Sequence, residues 1–173
     1  MKPRPLDVDF LSTRGDVRME TIPITREGLE KLKKELIKLE KVERPQNIRA
    51  IEEARDHGDI SENAEYHAAK ERQSFIGGRI NELQTAIAKA EVIEVEDGPA
   101  DRVVFGRTVL LYNIETDEEV SYQLVGTYES APENGRISVT SPLGQALIGK
   151  EKGDEVKART PGGILEYEIL EIN

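Results

Sequence analysis

Two carboxylates three residues apart, Asp59 and Glu62, sit in the segment Gly58-Asp59-Ile60-Ser61-Glu62-Asn63-Ala64-Glu65-Tyr66. The spacing straddles a turn and the first residues of a following helix, so both acids can meet one hard cation such as Mg2+. That ion takes oxygen ligands and ordinarily keeps waters and substrate phosphate in its shell. Two carboxylates are too few for a self-sufficient cage, which points to a metal site supplied mostly by another molecule. The commoner role for such a pattern is structural. Asp59 as N-cap and Glu62 at N3 make a capping box, and negative charge there suits the helix dipole. Ser61 reads as a cap, not a nucleophile, because no base is positioned for it. His57 and His67, the only histidines, read as solvated residues near a helix end. Arg55, Lys70, Arg72 and Arg79 can attract RNA phosphate, although basic residues scattered along an exposed helix are ordinarily its solvated face.

Two long helices must position this segment. Thr25 can cap a helix whose apolar positions are Leu29, Leu32, Leu36 and Leu39, the spacing of one helical stripe. Glu27/Lys31 and Glu30/Lys34 add i,i+4 support. The stripe resumes with Ile48, Ile51 and Ala54 beyond Pro45, and a proline inside a helix bends it or breaks a hydrogen bond. The pattern predicts one long, locally kinked helix to about His57, with two helices as the alternative. Gly58 ends it. A second helix is predicted from about Ser61 to Val92, with the stripe Tyr66, Ala69, Gln73, Ile76, Ile80, Leu83, Ile87 and Ala90. Joined by so few residues, the helices must run antiparallel. At about 1.5 Å per residue the arm is roughly 45 Å long, too long to be buried in its own globule. Gly77-Gly78 is discordant, at about 1 kcal/mol per glycine relative to alanine. The pair either permits close helix approach or marks the junction of arm and body.

After Asp97-Gly98-Pro99 the period shifts to two. Val103–Phe105, Thr108–Tyr112, Val120–Val125, Arg136–Thr140, Asp154–Thr160 and Ile164–Ile172 read as short strands between turn residues, with a short helix at Gly144–Gly149. The expected class is α+β: an N-terminal long antiparallel helical hairpin, or coiled coil, and a C-terminal small antiparallel β-sheet domain. The expected domains are a flexible leader at 1–20, the hairpin at 21–97 with its acidic tip at 58–62, and the sheet domain at 98–173. The 173 residues carry a formal net charge of -10, which argues against general attraction to nucleic acid or to an anionic membrane. By count, residues 98–173 hold 13 acidic and 7 basic side chains, whereas residues 26–91 hold 14 and 13. The acidity therefore does not belong to the arm. No cysteine is present, which excludes disulfides, zinc–thiolate sites and cysteine nucleophiles. No apolar run approaches the roughly 20 residues that cross a bilayer. A cytoplasmic protein without a membrane partner is expected, and a monomer.

Ala54 to Gln73, ARDHGDISENAEYHAAKERQ, resembles the tip and descending helix of the Gre family of bacterial transcript-cleavage factors. The likeness runs from Thr21-Ile22-Pro23-Ile24-Thr25 through Arg79-Ile80. It resumes at Val104-Phe105-Gly106, at Ser141-Pro142-Leu143-Gly144-Gln145-Ala146-Leu147, at Ile148-Gly149-Lys150 and at Thr160-Pro161-Gly162-Gly163. The resemblance implies a coiled coil joined to an FKBP-like domain that docks on RNA polymerase while the coiled coil enters its secondary channel. The family's paired acids fall on Asp59 and Glu62, which would help hold a catalytic Mg2+ of the polymerase so that it cuts its own backtracked RNA near the 3′ end. On this view the protein has no cofactor of its own and is not an independent enzyme. Arg55, Lys70 and Arg72 are candidate RNA contacts. Ser141 and Pro142 fall in the polymerase-docking loop, where some relatives have an Asp in place of Thr140. Two other readings compete: a channel-binding regulator that does not stimulate cleavage, and a chaperone or scaffold that grips clients with the hairpin.

Overall fold

The computed structural model describes residues 21–56, 63–94 and 100–173. The expected leader, the tip with His57, Gly58, Asp59, Ser61 and Glu62, and the Asp97-Gly98-Pro99 boundary lie outside the described residues. The chain divides into two compact units. One is Leu29–Ala90, and the described residues before and after it form the other.

In the helical unit the first helical run is continuous but not uniform. Helix α1 (Arg26–Lys38) opens on Thr25, whose hydroxyl accepts from the Gly28 N–H at 3.0 Å, as the sequence predicts. A π-helical turn, Leu39–Glu43, follows and hands over to α2 (Arg44–Asp56). The Arg44 N–H reaches back to the Leu39 carbonyl, one residue further than in an α-helix. Proline cannot donate and its ring crowds the carbonyl four residues earlier. The wider turn immediately ahead of Pro45 lets the chain stay helical past it. The extra residue also rotates everything beyond it. Asn47 is buried at 4% exposure, whereas Ile48, expected in the stripe, is 42% exposed.

Helix α3 (Ala64–Lys89) runs back along α2. Asn47 bonds Ala69 and Asn63 bonds Ala54, so partners fall along one helix as they rise along the other: the pair is antiparallel. The buried line of α3 is Ala69, Ile76, Ile80, Leu83 and Ala86. Gln73, assigned to the stripe by periodicity, is exposed, and Tyr66, Ile87 and Ala90 are half-buried. Helix α3 stops at Lys89 and not at Val92, because Ala90–Val92 becomes strand β2 and pairs with β1 (Ile22–Ile24). A Cβ at Gly77 or Gly78 would meet nothing within 4 Å, so neither glycine serves close helix packing. Both lie well inside α3, away from the boundary of the units at Ala90.

The second unit is built on a five-stranded sheet in the order β5-β4-β3-β7-β6. Its strands are β3 (Thr108–Asn113), β4 (Glu118–Val125), β5 (Arg136–Ser138), β6 (Glu155–Thr160) and β7 (Gly163–Ile172). Alternate residues face the core, as the two-residue period requires: Val109 and Leu111 on β3, Val156 and Ala158 on β6, Tyr167 and Ile169 on β7. The sheet is antiparallel except at its β4–β5 edge, which is parallel. Val103–Phe105 is not one of its strands. Val103 and Phe105 are buried while Val104 is 42% exposed, which is the alternation that mimics a strand. Val103 instead exchanges backbone hydrogen bonds with Gly149 and Lys150. The short helix α4 (Pro142–Leu147) starts before the predicted Gly144 and covers one face of the sheet through Leu143 and Leu147.

Glu129 is the polar hub of this unit. Its carboxylate accepts from the Thr25 N–H and hydroxyl, from the Gly126 N–H at 3.2 Å and from Arg136 Nη2 at 3.1 Å. The start of α1 is thereby tied to the turn after β4. Gly126 makes room for the tie, since a Cβ there would stand 2.2 Å from the Pro23 carbonyl oxygen.

Candidate functional site

The two acids of the tip are carried between Asp56, where α2 ends, and Asn63, where α3 begins. Asn63 does two jobs with one carboxamide. Its Oδ1 accepts from the Tyr66 N–H at 3.0 Å and caps α3. Its Nδ2 donates to the Ala54 carbonyl of α2 at 2.6 Å. One side chain thus closes the segment between the two helices and satisfies an exposed helix end at the same time. Small residues make the approach possible: Ala54 and Ala69 are both buried.

This corrects the capping assignment drawn from the sequence. The N-cap of α3 is Asn63, not Asp59 or Ser61. A run of Asp, Ser and Asn offered three candidates with similar capping preference, and the described helix starts directly after the last of them. The N-cap position of α3, which the sequence had assigned to Asp59, is filled by Asn63. Asn63 itself escaped the sequence reading, although its position just before Ala64-Glu65-Tyr66 was the available signal.

The basic candidates differ in how committed they are. Arg55 is exposed on α2, and Lys70 Nζ donates to Gln73 at 2.8 Å. Arg72 is exposed and stands 3.8 Å from Glu43. Arg79 is engaged on both sides, with Nε and Nη2 on Glu35 and Nη1 on Glu82. The hydrogen bond to Glu35 raises its pKa above the ordinary arginine value, and desolvation opposes the shift less strongly. Arg79 therefore braces α1 against α3. His67 is exposed and packs edge-on against the Tyr66 ring at 5.8 Å. Among the described residues no group of three or more His, Asp or Glu side chains is placed to hold a metal.

In the second unit Ser141 caps α4, accepting from the Gly144 N–H at 3.1 Å and donating to the Ser138 carbonyl at 2.6 Å. Pro142 occupies the first helical turn and is exposed, as suits a residue with no N–H to satisfy. The loop is held from behind. Ser138, buried, lies 2.7 Å from the Thr140 hydroxyl, which is 3.3 Å from that of Thr127. Gly144 is required beneath it, because a Cβ would come within 2.1 Å of the Ser138 carbonyl oxygen.

A helical hairpin and a unit built on a five-stranded sheet define a two-part protein, and both parts match parts of known transcription elongation factors. Residues 22–92 match the family described as "Transcription elongation factor, N-terminal", and residues 98–173 match "Transcription elongation factor, GreA/GreB, C-term". The chain belongs to the GreA/GreB family of transcription elongation factors. It is 54% identical over 154 residues to the transcription elongation factor GreA of Syntrophobacter fumaroxidans, spanning 89% of this chain and 99% of that one. It is also 54% identical to GreA of Rhodospirillum rubrum, over 87% of this chain and 96% of the relative. Among solved structures it is similar to the GreA factor homolog 1 of Thermus thermophilus, at 26% identity and a TM-score of 0.41 over 88% of this chain and 99% of the other. The GreA/GreB factor of Nitrosomonas europaea gives 26% and 0.39, over 88% and 98%. Family membership rests on the sequence matches.

Proposed function

We propose that the hairpin enters the secondary channel of RNA polymerase and that Asp59 and Glu62 contribute carboxylate oxygens to a Mg2+ held mainly by the polymerase. The backtracked RNA is then cut near its 3′ end and the arrested complex resumes. The observation that carries this reading is that Asn63, and not Asp59, is the N-cap of α3. Family membership supports it independently.

The reaction is phosphodiester hydrolysis: water adds to phosphorus, the bond to the leaving ribose oxygen breaks, and that oxygen takes up a proton. Bound Mg2+ supplies Lewis acidity to the water and to the scissile phosphate. Asp59 and Glu62 bring the negative oxygens a hard cation prefers and can orient a water by accepting its protons. Arg55, Lys70 and Arg72 supply positive charge for RNA phosphate along an arm whose acidic and basic residues nearly balance. Ser141 and Pro142 form the docking contact on the polymerase. The protein works as a monomer in the cytoplasm, has no cofactor of its own, and the polymerase performs the catalysis.

Purified protein and Mg2+ added to backtracked polymerase should release short 3′-end RNA fragments. Asp59→Asn and Glu62→Gln should each abolish the stimulation while leaving polymerase binding intact. Full activity in both variants overturns the mechanism. Client protection by a protein that binds no polymerase would favour the chaperone reading instead.

A further inference from the structure

Midway along the helical unit, α2 and α3 part to leave a groove of about 270 Å3. Two features open it. The π turn before Pro45 swings Ile48 out of the interhelical line, and Gly77 on α3 has no side chain to fill the space, where a Cβ would meet nothing within 4 Å. Ile48, Ile76 and Ile80 give the groove apolar walls, and Asn47, Gln73 and Asn81 add neutral carboxamides. The one charged residue lining it is Arg44.

The carboxylates near the groove already have hydrogen-bond or ion-pair partners. Glu43 pairs with Lys38 at 3.4 Å and Arg72 at 3.8 Å, Glu40 accepts from Gln84, and Glu35 and Glu82 hold Arg79. The Arg44 guanidinium has no ion-pair partner among the described residues. An exposed arginine fork beside neutral amides and an apolar wall is complementary to a carboxylate on a short aliphatic stem.

We propose that this groove is a docking pocket for one Asp or Glu side chain of a partner protein, bound by Arg44 and admitted by the missing side chain at Gly77. The volume is too small for a helix or a strand and leaves room for water beside one side chain. A nucleic-acid backbone fits less well, because phosphate tracking needs several cations in a row and the groove offers one. The assignment rests on the polymerase reading and deepens it: the partner carboxylate belongs to the polymerase wall that faces the arm.

The test sets binding against folding. Gly77→Leu fills the groove yet suits helix α3 better than glycine does, so its thermal midpoint should equal or exceed that of the wild type. Its affinity for core RNA polymerase, measured by competition with a labelled wild-type chain, should fall about tenfold, the loss typical of one truncated anchor. Gly77→Ala adds only a methyl group and should bind nearly as the wild type does. Arg44→Ala should bind more weakly, and Arg44→Glu more weakly still. Wild-type binding that none of these variants alters overturns the pocket alone. No wild-type binding removes the polymerase reading and the pocket with it. Losses that appear only when backtracked RNA is present would assign the groove to phosphate and contradict the protein carboxylate.

Discussion

The two units of this protein use their apolar residues differently. The sheet unit gathers Val109, Leu111, Leu124, Leu147 and Ile169 into one core, each with no exposed surface. The helical unit buries a narrow line in which Ala54, Ala69 and Ala86 take the place of larger groups, while Ile37, Val42, Ile48 and Phe75 stay at the surface, Phe75 at 72% exposure. Ion pairs such as Arg79–Glu35 supplement that line. A pair of helices has only one seam to bury, and every other face is presented outward. The sheet unit gathers its apolar side chains into one core, and the helical unit leaves a share of them at its surface.

Substitutions in each unit should separate accordingly. Leu124→Ala removes a fully buried side chain from the sheet core and should cost about 4 kcal/mol in urea unfolding followed by circular dichroism. Glu129→Ala leaves Arg136 without its partner and Thr25 without its acceptor, and should cost about 3 kcal/mol. Asn63→Ala should cost about 1 kcal/mol, seen as faster amide exchange at Tyr66 with the sheet unaffected. Gly78→Ala should act in the opposite direction and stabilise the hairpin by about 1 kcal/mol. Ile48→Ala, on the exposed wall of the groove, should stay within about 0.5 kcal/mol of the wild type. If Ile48→Ala proved as costly as Leu124→Ala, the contrast between the units would be broken.

Much of this arrangement was legible in the sequence because it depends on local periodicity. The Leu32 and Leu39 stripe, the Thr25 cap and the alternation of β6 and β7 follow from which residues sit two, three or four apart. What escaped depends on contacts between distant segments. Periodicity carried α3 through to Val92 because nothing near Ala90 announces its pairing with Ile22–Ile24. It assigned Ile48 to the buried stripe because the π turn inserts a residue that no pattern of hydrophobicity marks. It left Asn63 unnoticed because the cap is selected by the Ala54 carbonyl on another helix. The parallel β4–β5 edge was missed for a similar reason, since the segment with two short 3-10 turns brings the chain back to re-enter the sheet in the same direction as β4. At the candidate site, residue type and spacing left Asp59 and Glu62 between a capping box and a shared metal site, and the resemblance of the surrounding segment favoured the metal. The residue that caps the helix beside them was not identified.

The central claim is that these two acids take part in binding a metal belonging to another protein's active site, and a metal titration tests it most directly. Cleavage by backtracked RNA polymerase should be followed as Mg2+ is raised, with no factor, with the wild-type chain and with Glu62→Gln. The wild type should lower the Mg2+ concentration needed for half-maximal cleavage by at least about tenfold, the equivalent of one carboxylate-strength interaction of about 1.4 kcal/mol. Glu62→Gln should return the requirement to that of polymerase alone while still competing with the wild type for binding. A wild-type chain that accelerates cleavage without shifting the Mg2+ requirement, or a Glu62→Gln chain that shifts it equally, would contradict the account.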